Sequence, residues 1–200
     1  KIDPNFAMLF NNLGHLFFSF ESHKDLQKAE KYYKKSIFLN SKLAEPHNNL
    51  GNLYKSLNKY DEAISCYKKV IENSPKFYVG HYNLGNTYIT IGKFSMAAKH
   101  FNEAIKINPN FVLAHRSLSR ITKYTKNNKH FNELAKIYNN TNIQDFFSKA
   151  EIAFSLGKAH EDIKSFDQSF KFYKEANEIY RKKINFSITE EKKIFQVNKE

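Results

Sequence analysis

Tryptophan is absent from this 200-residue chain, cysteine occurs once, at Cys66, and arginine occurs three times, at Arg116, Arg120 and Arg181. A lone cysteine excludes a disulfide framework and a cysteine-built zinc cluster within the chain. It is expected to be a partly buried small side chain. Six glycines and four prolines are too few for a loop-rich fold, and most of them fall at expected turns or in one recurring slot described below. No apolar run approaches the roughly 18 to 20 residues that a membrane span needs, so no membrane partner is expected. The patterns G-x-x-x-x-G-K, H-E-x-x-H, G-x-S-x-G and C-x-x-C are all missing, which leaves no phosphate loop, metalloprotease helix, nucleophile elbow or dithiol pair. The expectation is a chain with no catalytic residue, no cofactor and no metal.

The charge is one-sided, with a formal net of +12. That excess comes from 29 lysines spread over nearly the whole length, alongside 23 asparagines. Recognition of bases and phosphates leans on the planar fork of arginine, whereas a dispersed lysine coat mainly confers solubility. With no basic run of five or more and no nucleic-acid-binding motif, specific nucleic-acid binding is not expected. Salt-sensitive nonspecific attraction is.

What is present is a repeat. Leu-Gly occurs at Leu13-Gly14, Leu50-Gly51, Leu84-Gly85 and Leu156-Gly157, with Leu118-Ser119 in the remaining gap, at intervals of 37, 34, 34 and 38 residues. Large side chains follow three residues after the first three glycines, at Phe17, Tyr54 and Tyr88, and then come the Ala-x3-aromatic steps Ala29/Tyr33, Ala63/Tyr67 and Ala97/Phe101. Pro75 and Pro109 close two units. On a helix, Leu, Gly and the aromatic share a face, and glycine admits a partner helix closely. The small alanine and the ring one turn later then make a notch and a knob. A fixed period near 34 residues means stacked units.

This pattern resembles the tetratricopeptide repeat (TPR), a helix-turn-helix unit with the signature W-x2-L-G-x2-Y, A-x3-F and P. The resemblance implies an all-α, right-handed superhelical solenoid of antiparallel helix pairs, with about eleven helices and contacts between neighbours only. The units fall at about 7–43, 44–77, 78–111, 112–149 and 150–183, making residues 1–183 the array. The first unit carries three extra residues near Ser22-His23-Lys24. The fourth is degenerate, with a polar turn at Lys126-Asn127-Asn128-Lys129 and a short second helix expected around 129–139. Residues 184–200 are expected to hold a capping helix beginning at Thr189, followed by Glu190 and Glu191, or the start of a linker. The chain begins at Lys1 rather than methionine, which suggests a piece of something longer; a cytoplasmic location is the expectation.

His47, His81 and His115 occupy one repeat position, but helix packing separates equivalent residues by about 8 to 10 Å, whereas zinc needs its nitrogens near 2.1 Å. They are read as fillers of the slot usually held by a large aromatic. In repeats of this kind the first helices line a groove. The side chains expected to face it include Asn11, Asn12 and His15, then Asn48, Asn49, Asn52 and Lys55, then Tyr82, Asn83 and Asn86. An asparagine just before the Leu resembles the ladder in the TPR region of O-GlcNAc transferases, and Asn12, Asn49 and Asn83 match that slot; with the groove positions Asn52 and Asn86 they are candidates for holding an extended peptide backbone. Carboxamides both donate and accept, so two roles are open to them: ligand binding, or hydrogen bonding between repeats. Arg116, Arg120 and Lys123 fall on one helix face at i, i+4, i+7. They are a candidate anion site, or else a solvated or docking face.

Residues 112–200 carry a narrower likeness. His115 to Ile121, Lys123-Tyr124, His130, and Ala153 to Asp162 with Phe166-Asp167 resemble the segment that joins TPR repeats to the sulfotransferase domain of bacterial TPR-sulfotransferase proteins, with His160 in place of the usual tyrosine. Such enzymes hold the sulfuryl donor PAPS on a strand-loop-helix that does not occur before Glu200. The likeness implies a non-catalytic, substrate-presenting region covalently linked to a sulfotransferase, binding a protein or peptide that the basic face would prefer acidic. The alternatives are the TPR arm of an O-GlcNAc-type glycosyltransferase and a free-standing adaptor.

Overall fold

The computed structural model describes residues 4–20, 22–139 and 146–197, with side chains described from 6 to 182 within those ranges. Ten helices and no strands are found among them: α1 (Pro4–Phe18), α2 (His23–Leu39), α3 (Ala44–Ser56), α4 (Tyr60–Asn73), α5 (Tyr78–Thr90), α6 (Phe94–Ile107), α7 (Val112–Ile121), α8 (Lys129–Asn139), α9 (Phe146–Asp162) and α10 (Phe166–Val197). Two compact units divide at Pro109, residues 1–109 and 110–200. Among the described residues no helix is long and apolar enough to cross a membrane.

The first unit contains three helix pairs, α1 with α2, α3 with α4 and α5 with α6, and each pair packs on the next. The Leu-Gly signature explains the pairing. A Cβ added to Gly14 would lie 2.6 Å from the Tyr33 ring, one at Gly51 2.7 Å from Tyr67, and one at Gly85 2.7 Å from Phe101. Each ring is the aromatic of the Ala-x3-aromatic step, and all three are fully buried. The bare backbone is therefore the floor on which the ring rests. The second unit repeats this once, with Gly157 against Tyr173, 2.6 Å from such a Cβ; buried Ser169 stands where the other steps have alanine.

The turn inside a pair is also repeated. Seven residues after the glycine the chain enters the left-handed region, at Asn58 (φ 58°), Gly92 (φ 74°) and Lys164 (φ 61°). The next N–H then donates back over the helix end: Lys59 to the Tyr54 carbonyl, Lys93 to Tyr88 and Ser165 to His160, each at 2.8 Å. This satisfies a carbonyl that the helix leaves orphaned. Glycine suits the position, asparagine tolerates it, and lysine is strained there.

The three extra residues of the first repeat are not loop. They form an added N-terminal turn on α2, started by Ser22, whose Oγ accepts from the Asp25 N–H at 3.2 Å.

In the second unit α7 spans ten residues, and α9 packs against α7, α8 and α10. Ser119 fills the glycine slot, fully buried. The chain after α7 is held by Asp162 at the end of α9, which accepts from Lys123 Nζ (2.9 Å), Lys158 Nζ (2.6 Å) and the Tyr124 N–H (3.0 Å). Burial pushes this carboxyl upward, but those three donors outweigh it and hold it at about 2. Tyr124 thereby enters a core with Leu134, Ile152, Leu156 and Ala159.

The eleventh helix expected at Thr189 is not a separate element. No proline or glycine interrupts residues 166–197, and α10 runs through Thr189 for 32 residues. The Thr189, Glu190 and Glu191 side chains lie outside the described residues, as do residues 198–200.

Candidate functional site

The first helices α1, α3 and α5 of the first unit lie side by side, and the expected asparagines divide into two groups. One group is an internal ladder. Asn83 Nδ2 donates to Asn48 Oδ1 at 2.8 Å, Asn48 Nδ2 reaches Asn49 Oδ1 at 3.5 Å, and Asn49 Nδ2 donates to Asn11 Oδ1 at 3.0 Å. Asn11 and Asn48 are buried, Asn49 and Asn83 half-buried. Inter-repeat bonding thus occupies one N–H of Asn83 and one of Asn49.

The second group faces outward. Asn52 accepts the Tyr67 hydroxyl at 2.7 Å through Oδ1, which fixes the amide and leaves both of its N–H donors. Asn86 stands at the same position one repeat later and is half-buried, and Asn12 is exposed. Lys55, one turn beyond Asn52, is half-buried, and burial lowers its ammonium below the ordinary lysine range with no carboxylate to oppose the shift. A desolvated cation beside amide donors suits an acceptor-rich ligand.

The Arg116, Arg120 and Lys123 stripe is arranged differently. Arg116 Nε donates to Glu151 Oε2 at 2.9 Å and its guanidinium lies 5.4 Å from the centre of the Phe154 ring. Lys123 is paired with Asp162. Two of the three charges therefore bind α9 within the second unit, and exposed Arg120 has no carboxylate within 4.0 Å among the described residues. The expected single helix face is not formed, because α7 ends at Ile121 and the chain is extended at Thr122, which leaves Lys123 beyond the helix; the acidic partners sit 35 and 39 residues away.

The repeat-position histidines each have their own partner. His47 Nε2 contacts the Ser41 carbonyl oxygen at 3.0 Å. His81 and His100 join through their Nδ1 atoms at 3.2 Å. His115 Nδ1 meets His130 Nε2 at 3.0 Å, and His130 Nδ1 meets the Tyr124 hydroxyl at 2.7 Å. Burial, then the neighbouring histidine, lowers His100 to about 4 and His130 to about 3. These are neutral core pairs. No group of three or more His, Cys, Asp or Glu side chains is placed to hold a metal among the described residues.

Paired helices with a glycine floor, a capped left-handed turn and a polar face on the first helices define a helix-pair repeat protein. Family profiles described as tetratricopeptide repeat match residues 44–77, 78–111 and 150–183, together just over half of the chain. The chain belongs to the tetratricopeptide-repeat family. Over 63 residues, 32% of this chain, it is 36% identical to the protein O-mannosyl-transferase TMTC3 of Mus musculus, and the stretch covers 6% of that protein. The fold is similar to that of YrrB, described as a TPR protein with an unusual peptide-binding site (TM-score 0.63, 18% identity, 86% of each chain). It is also similar to the first TPR of Spaghetti (RPAP3) bound to the HSP90 peptide SRMEEVD (0.55, 18%, 60% of this chain and 93% of that one). A third similar structure is an O-GlcNAc transferase of Thermobaculum terrenum (0.57, 16%, 80% and 27%). These matches do not show the sulfotransferase likeness of residues 112–200.

Proposed function

We propose that the α1–α3–α5 face of the first unit binds an extended, acidic peptide. The observation that carries this is Lys55, a half-buried lysine with no acidic partner on the face that also offers the N–H donors of Asn52 and the amide of Asn86. The internal ladder serves the same end: it fixes Asn49 and Asn83, so their remaining polar atoms meet a peptide without first losing rotamer freedom. Asn12 extends the face to α1. Peptide binding by YrrB and by Spaghetti, the latter to a peptide with two consecutive glutamates, supports a peptide class of partner. In the second unit Arg120 is the part of its stripe that offers charge to a ligand, because Arg116 and Lys123 hold α9.

Titration calorimetry with an acidic peptide library at low and high salt tests this. Asn83→Ala should lower affinity by about 0.5 to 1.5 kcal/mol with unchanged salt dependence. Lys55→Met should lower affinity and flatten the salt dependence. Unchanged affinity in both variants would move the binding surface elsewhere.

For an enzyme to which such a module is joined, two readings have separate support. The resemblance of residues 112–200 favours a sulfotransferase, and the similarity to the Thermobaculum terrenum O-GlcNAc transferase favours a glycosyltransferase. Sequencing the gene on the 3′ side of the Glu200 codon separates them: a PAPS-type phosphate loop supports the first, a glycosyltransferase domain the second, and a stop codon neither.

A further inference from the structure

In the second unit a groove of about 430 Å³ opens between α8 and α10, the second helices of successive repeats, with α9 beneath it. Both flanking helices are in place, so the groove is not an end face that a further repeat would cover. A change at one repeat position opens it. Three residues after the glycine, the second and third repeats carry Tyr54 and Tyr88, only 9% and 5% exposed, and the Tyr54 hydroxyl crosses to Glu30 on the preceding second helix at 3.0 Å. The equivalent residue on α9 is His160. Its shorter ring meets Phe131 of α8 edge-on, with centroids 5.0 Å apart, and stacks on Phe172 of α10 at 5.3 Å, yet its Nδ1 is buried without a hydrogen-bond partner. The gap that a phenol spans elsewhere is only partly filled here.

The lining divides into an apolar body and a polar mouth. Phe131, Tyr138 and Phe172 form walls over Leu156 and His160, and burial holds His160 below the ordinary histidine range, so the floor is uncharged near neutral pH. Asn132, Asn139 and Lys171 stand exposed at the mouth. Among the described residues their side chains have no hydrogen-bond or ion-pair partner, and no carboxylate lines the groove. The nearby Glu175 is already engaged, accepting the Tyr138 hydroxyl and pairing with Lys149 at 3.5 Å. Apolar walls with a few convergent polar groups are the usual construction of a ligand site of this size.

We propose that the groove takes one aromatic side chain of a partner protein segment in which a carboxylate neighbours the ring. The guest ring replaces the missing phenol between α8 and α10, where Phe131, Tyr138 and Phe172 offer it edge-to-face and offset contacts in addition to burial. The carboxylate meets the Lys171 ammonium, the only charge lining the groove, and the two free amides.

The probe is the peptide acetyl-Gly-Asp-Phe-Asp-Gly-amide, titrated into the 15N-labelled 200-residue chain while the Asn132 and Asn139 side-chain amides are followed by their resonance shifts. Saturable shifts at both are expected. Alanine in place of the peptide's phenylalanine should weaken binding at least about tenfold, the equivalent of burying one such ring. Lys171→Met should weaken it about threefold at low salt and leave it unchanged at high salt. His160→Tyr puts the phenol of the other repeats into the gap and should abolish binding with helical circular dichroism retained. The alanine peptide needs no altered protein, so it decides the matter even where that variant folds poorly. No shift at Asn132 and Asn139, equal binding of the alanine peptide, or binding that survives in folded His160→Tyr would each overturn the proposal. Shifts confined to Asn52 and Asn86 would also overturn it while leaving the first-unit face standing.

Discussion

Replacing Gly85 by alanine sets two effects of known size against each other. In a helix interior, alanine is favoured over glycine by about 0.8 to 1.0 kcal/mol. At Gly85 the new Cβ would stand 2.7 Å from Phe101 Cε1 and 2.9 Å from Cδ1, whereas carbon atoms in contact settle near 3.5 to 4.0 Å. Phe101 is fully buried, so the ring cannot swing into solvent and α5 and α6 must separate. Overpacking of that kind costs about 1 to 3 kcal/mol, leaving a net loss of about 1 kcal/mol after the helix gain. In a Phe101→Leu background the ring edge is gone, and the same substitution should become stabilising by up to about 1 kcal/mol. The coupling of the pair is thus about 2 kcal/mol and reverses the sign of the effect. Urea unfolding of the four chains, followed by circular dichroism, measures it. Equal effects of Gly85→Ala in both backgrounds would refute the ring-on-backbone account of the repeat signature.

Three further outcomes follow from single observations. Tyr67 donates to Asn52, whereas the Tyr33 hydroxyl is buried without a partner, with burial raising its pKa to about 12; Tyr67→Phe should therefore cost about 0.5 to 1.5 kcal/mol and Tyr33→Phe nothing or less than nothing, and equal losses in urea melts would contradict this. Lys164→Gly should stabilise the second unit by about 1 kcal/mol by relieving a left-handed lysine, while Gly92→Lys should destabilise the first by a similar amount; thermal melts that moved the other way would reject the turn assignment. His130 is held neutral, with its pKa lowered to about 3, so the unfolded chain binds the proton first: its contribution is complete above about pH 6.5 and falls as pH drops toward 3, by about 2 kcal/mol at pH 5. Urea titrations at pH 7 and 5 should show that loss in the second unit, and His130→Gln should remove it while leaving the separate loss from His100, lowered to about 4, in the first; a pH dependence unchanged by the substitution would place the acid sensitivity elsewhere.

The fold was legible because its determinants are local and repeated. The interval of Leu-Gly and the Ala-x3-aromatic step mark a close helix pair in the sequence, and the structure shows which residues touch, Gly51 against Tyr67 and Gly85 against Phe101. The left-handed turn was written at Asn58 and Gly92 as well, but Lys164 hides it in the second unit. Thr189 followed by two glutamates has the pattern of a helix start, but that pattern does not stop a helix already under way, so α10 continues through it. The candidate site was less legible for a physical reason. Whether Asn83 meets Asn48 or a ligand, and whether Arg116 meets Glu151 or an anion, depends on neighbours 35 residues away. Lys55 stood in the expected groove, but its lack of an acidic partner is a property of the packed face and not of the stretch around it.

The central question is which face of the first unit receives the peptide. Resonance shifts of the asparagine side-chain amides in a 15N-labelled chain, followed as the tightest acidic peptide is titrated in, read this directly. The Asn12, Asn52, Asn83 and Asn86 amides should shift together and saturably, while Asn73 on α4 and Asn102 on α6 stay in place. Shifts at Asn73 and Asn102 with Asn52 and Asn86 unmoved would put the ligand on the second helices and contradict the proposed groove.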